Sequence, residues 1–337
     1  MISAHYARLL HRELAIQGHD EAALFMGSSL DAEALWQLTK LDPQDFLKLL
    51  VNAQGILGQI PLGSIVVSRN QLAAMGMMGV AMMSAPTLGA GLQAMSAYST
   101  LEADYLHFEL LAGQNVTRIT LETDRDLGTS LLIHAETIFA LLQDYLTDMV
   151  GSARGTVQFK LALPSLKREA SLLTPLKGNL SFDCRFTGLE FPTEWLTTRS
   201  PFSNPDVWQL SRRHLSEQLQ QTDSPGDQPF TRHLCSVLKS QRPPLPDINE
   251  IAESLNLSPR TLSRRLLEEK TTFRELKLEA IHDCAKNMLL DGTSVEAVAA
   301  ELGYENAANF RRSFRAVNRS SPTQWMKDFR EGAFSES

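Results

Sequence analysis

The chain has 337 residues, of which 43% are hydrophobic and 21% charged, a globular composition that excludes an intrinsically disordered polymer. At roughly 100–200 residues per domain, two domains are expected. The net charge of −7 argues at first sight against nucleic acid, but it is uneven: residues 1–230 hold 16 Lys and Arg against 24 Asp and Glu, and residues 231–337 hold 16 against 15.

Cys184, Cys235 and Cys284 are odd in number and widely spaced, so neither a disulfide framework nor a CxxC zinc pair is expected. A reducing cytoplasm is the expected compartment and no metal site is expected. The N-terminus carries Arg8, Arg12 and Glu13 without an apolar export core. The longest apolar stretch, Leu72–Met83, has 12 residues and is too short to span a bilayer, so no membrane contact is expected.

In chain order, apolar residues at three- and four-residue spacing predict helices over 4–17 and 31–38. Asp42-Pro43 opens another, with proline in the first turn. From Leu49 to Leu101 the only charge is Arg69, and five of the eleven methionines fall in Met75–Met83. Ser84-Ala-Pro-Thr87 breaks that apolar helix and caps the next, from Leu88 to about Tyr98; both must be buried. Alternation over 104–123 about Gly113-Gln114-Asn115 predicts a β-hairpin. A helix over about 131–150, a strand over 156–163 and a pair of strands around 180–191 follow. The N-terminal part therefore reads as α+β, helices plus an antiparallel sheet.

Thr222-Asp-Ser-Pro-Gly-Asp227 consists of turn formers and is the linker candidate, placing the domains at 1–221 and 229–331 with a linker at 222–228. Beyond it every segment reads as helix. Capping boxes are expected at Asp247–Glu250, Thr272–Glu275 and Thr293–Glu296.

One pattern occurs twice in this all-α part. Ile248, Ile251-Ala252, Leu255, a turn, Leu262 and Leu266 match Val295, Val298-Ala299, Leu302, a turn, Phe310 and Phe314. Each copy (248–267 and 295–317) is a helix-turn-helix unit, and Gly303 suits the positive φ of the tight turn. With Leu262 and Leu266 inward, Arg260, Ser263, Arg264 and Leu267 face out; with Phe310 and Phe314 inward, Ala307, Ala308, Arg311, Arg312 and Arg315 face out. Arginine can bond guanine bidentately and pair with phosphate, and small alanines allow close approach to base edges. The linker helix between the units, about Phe273–Leu290, spans roughly 27 Å at 1.5 Å per residue. That suits two recognition helices in successive major grooves, about 34 Å apart.

Leu257-Ser-Pro-Arg-Thr-Leu-Ser-Arg-Arg-Leu266, the run from Val298 to Ala316 and Ser321-Pro-Thr-Gln-Trp325 resemble the AraC/XylS-type DNA-binding domain of bacterial transcription regulators. The resemblance covers residues 229–330 and implies base contacts at Arg260, Thr261, Ser263, Arg264, Ala307, Ala308, Arg311 and Arg312. Where the family often has arginine early in the linker helix, this chain has Ile281-His282; where it has Trp-Thr-Gly, this chain has Val317-Asn318-Arg319, with Asn318 suited to a left-handed turn. Residues 20–205 resemble more loosely the α+β, arabinose-binding-like effector domain of one branch, with the break at Ser84-Ala-Pro-Thr-Leu-Gly89 as the cue. The resemblance implies a regulator, an activator in the expected case, with promoter or operator DNA, a small-molecule effector, RNA polymerase and a second copy of the chain as partners. A dimeric regulator without a ligand, and an enzyme domain fused to a DNA reader, are the alternatives.

Met75, Met78 and Met82 are the candidate ligand contacts, since methionine adapts to irregular apolar ligands such as a fatty acid. Gly89-Ala-Gly91-Leu-Gln-Ala94 matches a dinucleotide fingerprint but follows a helix and Pro86 rather than a strand; close helix packing is its expected role, and no cofactor is expected. His107 and His134 read as solvated or core-satisfied histidines, and no catalytic residue is assigned.

Overall fold

The computed structural model describes residues 1–332 except 59, 61, 63–71, 73–74, 126, 128–129, 152–154, 164–175, 177–178, 222–228, 240, 242, 256 and 291. The linker candidate at 222–228 therefore lies outside the described residues. The chain divides into two compact units, Met1–Glu109 with Ile119–Gln218, and Leu110–Arg118 with Leu219–Ser337.

The first unit opens with a two-residue strand, β1 (Ile2–Ser3), paired antiparallel with β2 (Lys40–Leu41). Between them lie three helices, α1 (Ala4–Ile16), α2 (Glu21–Phe25) and α3 (Ala32–Gln37). Asp20 and Asp31 cap α2 and α3 by accepting from the Ala22 and Ala34 amides. The sequence pattern does not mark α2, because five residues are too few to display a helical period. Asp42 caps α4 (Pro43–Leu57) with Pro43 in its first turn, as expected.

Helices α5 (Gly76–Ser84) and α6 (Leu88–Glu102) follow the predicted break, and the Thr87 hydroxyl caps α6 at the Ala90 amide. The break is also held from outside: Leu88 and Ser200 donate backbone hydrogen bonds to Thr198 and Pro86 respectively, joining it to the chain after a 3-10 turn at Thr193–Thr197. The glycines of the fingerprint-like run lie inside α6. A Cβ on Gly91 would stand 2.0 Å from the Tyr145 hydroxyl oxygen, which donates to the Met82 carbonyl at 2.9 Å. Gly91 is thus the space through which α7 (Ser130–Val150) reaches the last turn of α5.

The sheet has the order β3 (Leu106–Ala112), β4 (Val116–Thr123), β7 (Gly188–Pro192), β5 (Gln158–Lys160), β6 (Asn179–Ser181). In β3 the buried residues are Leu106, Phe108 and Leu110, the alternation read in the sequence. The sheet is mixed rather than antiparallel throughout: β5 pairs antiparallel with β7 but parallel with β6. A parallel neighbour needs a crossover, and strands of three residues carry too little pattern to announce one. Helix α8 (Pro205–Gln221) follows. Among the described residues no helix is long and apolar enough to cross a membrane.

The second unit contains the helices α9 (Pro229–Lys239), α10 (Ile248–Ser254), α11 (Pro259–Glu268), α12 (Phe273–Leu290), α13 (Val295–Glu301), α14 (Ala307–Asn318) and α15 (Pro322–Gly332). They enclose two hydrophobic cores. The first joins Leu234 and Leu238 to Ile251, Leu262, Leu266 and Leu276; the second joins Ala285 and Leu289 to Val298, Phe310 and Phe314. Helix α12 supplies both, its N-terminal half the first and its C-terminal half the second, and Ile281 packs against each.

Gly91→Ala should destabilise the chain by about 2 kcal/mol, the typical cost of overpacking, because the Tyr145 hydroxyl must leave its place. Gly55→Ala in α4, where a Cβ meets nothing within 4 Å, should instead stabilise by about 1 kcal/mol through helix propensity. Urea unfolding of the two variants checks the opposite signs.

Candidate functional site

The two helix-turn-helix units are built by the same local devices. Asp247 forms a full capping box with Glu250 at the start of α10, and Thr272 with Glu275 at the start of α12. After each first helix the amide three residues past the helix end reaches back: Leu257 to the Ala252 carbonyl at 2.8 Å, and Tyr304 to the Ala299 carbonyl at 2.9 Å. Gly303 takes φ +77°, the left-handed conformation that its turn demands. Ala252 and Ala299 are fully buried where the helices cross.

The third expected capping box does not form. Ser294, not Thr293, caps α13 through the Ala297 amide. That leaves the Glu296 carboxylate free to accept from Arg311 at 2.6 Å. The left-handed residue after α14 is Arg319 (φ 58°), one position later than Asn318. Asn318 stays helical, and its side-chain amide donates to the Phe314 carbonyl at 3.1 Å.

The recognition helices are α11 and α14. Leu262, Leu266, Phe310 and Phe314 are fully buried. Arg260, Arg264, Leu267, Ala308, Arg311, Arg312 and Arg315 are exposed, so each helix presents an arginine-bearing outer face. Leu267 is 67% exposed, an apolar group on an otherwise polar face. Thr261, Ser263 and Ala307 are half-buried; the Thr261 hydroxyl is engaged with the Ser258 cap at 2.8 Å, and Ala307 packs on the second core. Besides the Arg311–Glu296 pair, Arg264 lies 3.9 Å from Glu268 one turn on. Both pairs are exposed, where such contacts are weak and readily exchanged for phosphate.

His282 explains the departure in α12. It is buried, and its Nε2 meets the Ser313 hydroxyl at 3.1 Å, which also accepts from Tyr304 at 3.0 Å. Desolvation, helped by Lys286 and opposed by Asp283, holds its pKa below the ordinary value. A neutral imidazole in this network ties α12 to α14 behind the outer face.

The first unit holds a cavity of about 120 Å³ with overwhelmingly apolar walls. Met75 and Met78 line it, with Met95, Phe46 and Ile133; Met82, although fully buried, does not. Its few polar groups include Tyr6, Ser99, Glu102 and His134. Tyr6, Glu102 and His134 went unmarked as ligand contacts, because α1, the end of α6 and α7 meet only in three dimensions. His134 is satisfied within the core: Nδ1 donates to the Ser130 carbonyl at 2.8 Å and Nε2 accepts from the Tyr105 hydroxyl at 3.0 Å. His107 is bonded instead to Asp124 at 2.6 Å, near the surface.

An apolar cavity in one unit and a pair of arginine-faced helix-turn-helix units in the other fit a ligand-responsive DNA-binding regulator. The comparisons agree. Residues 18–200 match the arabinose-binding N-terminal domain of the AraC transcription regulator, and residues 251–328 match a helix-turn-helix domain. The chain belongs to the AraC family. It is 25% identical to the ornithine utilization regulator of Pseudomonas aeruginosa, over 98% of this chain and 96% of that one. It is 24% identical to the transcriptional regulator VqsM of the same organism, over 58% of this chain and 60% of VqsM. The crystal structure of CdpR from Pseudomonas aeruginosa aligns with a TM-score of 0.45 at 20% identity, covering 96% of this chain and 98% of CdpR. The named relatives are transcription regulators.

Burial holds His134 down to about 4, although its bond to Ser130 pulls the other way. The unfolded chain takes up this proton near pH 6.5 and the folded chain only near 4. The stability that His134 contributes is therefore complete above pH 6.5 and falls as the pH drops through that window, by on the order of 3 kcal/mol. Partly buried His5, also held near 4, acts in the same sense and Glu102, pushed up to about 7, in the opposite one. The His134 share is therefore the difference between variants: in urea unfolding at pH 7.5 and 5 the parent should lose about 2 kcal/mol relative to His134→Gln, and an equal change in both would remove His134 as a contributor.

Proposed function

We propose that residues 229–331 form the DNA reader, with α11 and α14 in successive major grooves of one asymmetric operator, and that residues 1–221 form the effector-binding and dimerising domain joined to it by 222–228. Arg260, Thr261, Ser263 and Arg264 serve the first groove; Ala307, Ala308, Arg311, Arg312 and Arg315 serve the second. The observation that carries this reading is the pair of outward arginine faces at matched positions on two helices fixed to one linker helix. Thr261, already part of the Ser258 cap, serves chiefly to hold the start of α11, and Ala307 to seat α14.

The effector in this reading is a small apolar or amphiphilic molecule that touches Met75 and Met78. A ligand that fills this space of about 120 Å³ removes its apolar walls from water and can thereby shift the population of regulator states. The protein acts in the cytoplasm as a homodimer that contacts RNA polymerase and activates transcription, and it is not an enzyme.

Arg264→Ala and Arg312→Ala should each cost about 1–3 kcal/mol at one base position of a selected operator and relax sequence preference there. Inserting half a helical turn, about 5 base pairs, between the two half-sites should abolish binding by rotating one groove away. If both variants bind every sequence as the parent does, these faces are not the readers.

Glu296→Gln frees Arg311 and removes an acid beside α14. It should raise affinity for operator DNA severalfold in gel-shift titrations at low salt and leave the melting temperature unchanged, since the pair is exposed.

A further inference from the structure

The cavity in the first unit has an uneven chemistry. Among its described lining residues there is no lysine or arginine, and the one carboxylate is Glu102. The other titratable groups are the Tyr6 phenol and the His134 imidazole, which is neutral with both ring nitrogens engaged. A single acid thus faces a space otherwise walled by Met75, Met78, Phe46 and similar side chains.

The position of that acid is unfavourable in the absence of a cation. Glu102 is the last residue of α6, where the helix dipole is negative and a carboxylate is repelled. A helix end of this kind favours an ammonium, so the acid and the dipole act in the same sense. Ser3 donates to the carboxylate, and the exposed Lys40 lies close enough to attract it. Burial nevertheless outweighs both and pushes the carboxyl up to about 7. The Tyr6 phenol feels the same carboxylate, which raises its pKa further above a value already lifted by burial. Among the described residues the carboxylate is therefore under-neutralised at the edge of an apolar space.

We propose that the effector is a small apolar molecule with a protonated amine head, bound by Glu102 through a charge-assisted hydrogen bond while its hydrocarbon part fills the space against Met75 and Met78. This rests on the reading of the cavity as the effector site, and it sharpens the chemical class. A fatty acid would bring its carboxylate against Glu102 and the C-terminal end of α6 with no lysine or arginine on the described walls to receive it. Size restricts the ligand as well. A cavity of about 150 Å³ admits benzene, so one of about 120 Å³ admits roughly five non-hydrogen atoms before the walls yield.

The test is calorimetric titration of the full-length protein at pH 7.5 with n-butylamine, n-butanol and sodium butyrate, three four-carbon probes with different heads. Butylamine should bind about ten- to a hundredfold tighter than butyrate, the range of a charged hydrogen bond. Glu102→Gln should weaken butylamine about tenfold or more and leave butanol within about threefold. Met78→Trp fills the cavity and should remove all three. Leu141→Phe, at another lining position, replaces it if its melting curve shows unfolding. Butyrate binding as tightly as butylamine, or butylamine binding equally to Glu102→Gln and to the parent, overturns the amine assignment and leaves the cavity as the effector site. No binding by any probe, or binding that survives both cavity-filling variants, overturns the cavity reading and the proposal with it.

Discussion

Helix α12 is the constraint on which the DNA-reading unit depends. Its N-terminal half completes the core under α11 and its C-terminal half the core under α14, with Ile281 touching both. Each helix-turn-helix has too little apolar surface to bury its inner face alone; sharing one helix solves both problems. The same sharing fixes the distance between the outer faces. Eighteen residues of unbroken helix give about 27 Å of rigid spacer. The buried His282–Ser313–Tyr304 network adds a polar tie between the spacer and the second recognition helix.

Charge acts locally in this molecule. The chain is acidic overall, and its second part is close to neutral by sequence count. General attraction to phosphate is therefore weak, and in the proposed reading affinity comes from a few arginines aimed outward. Glu296 and Glu268 partner two of them, at little energetic cost because both pairs face water.

The effector unit works through apolar burial. Its central helices α5 and α6 are hydrophobic on nearly every side, and the contact between α5 and α7 is made possible by one missing side chain at Gly91. Within that tight packing a cavity survives beside Glu102, where filling it completely would bury an acid against carbon. A space with a polar edge is a natural place for a ligand whose binding alters the stability of the whole unit.

Much of this was legible in the sequence because it rests on local rules. Helix periods, the caps at Asp42, Thr87, Asp247 and Thr272, and the duplicated Ala-containing helix-turn-helix pattern depend on residues a few positions apart, and so did the outward placement of the arginines. What the sequence could not decide was set by contacts between distant segments. Glu296 serves Arg311 rather than a capping box because Ser294 is the better-placed cap. The β5–β6 pair is parallel, a direction that three-residue strands carry too little pattern to announce. Met75 and Met78 face the cavity while Met82 turns away, and Tyr6, Glu102 and His134 join them from three separate helices. Local preference determined which residues are helical and which face outward; only tertiary packing decided which of them share a cavity, because that depends on surfaces brought together across the chain.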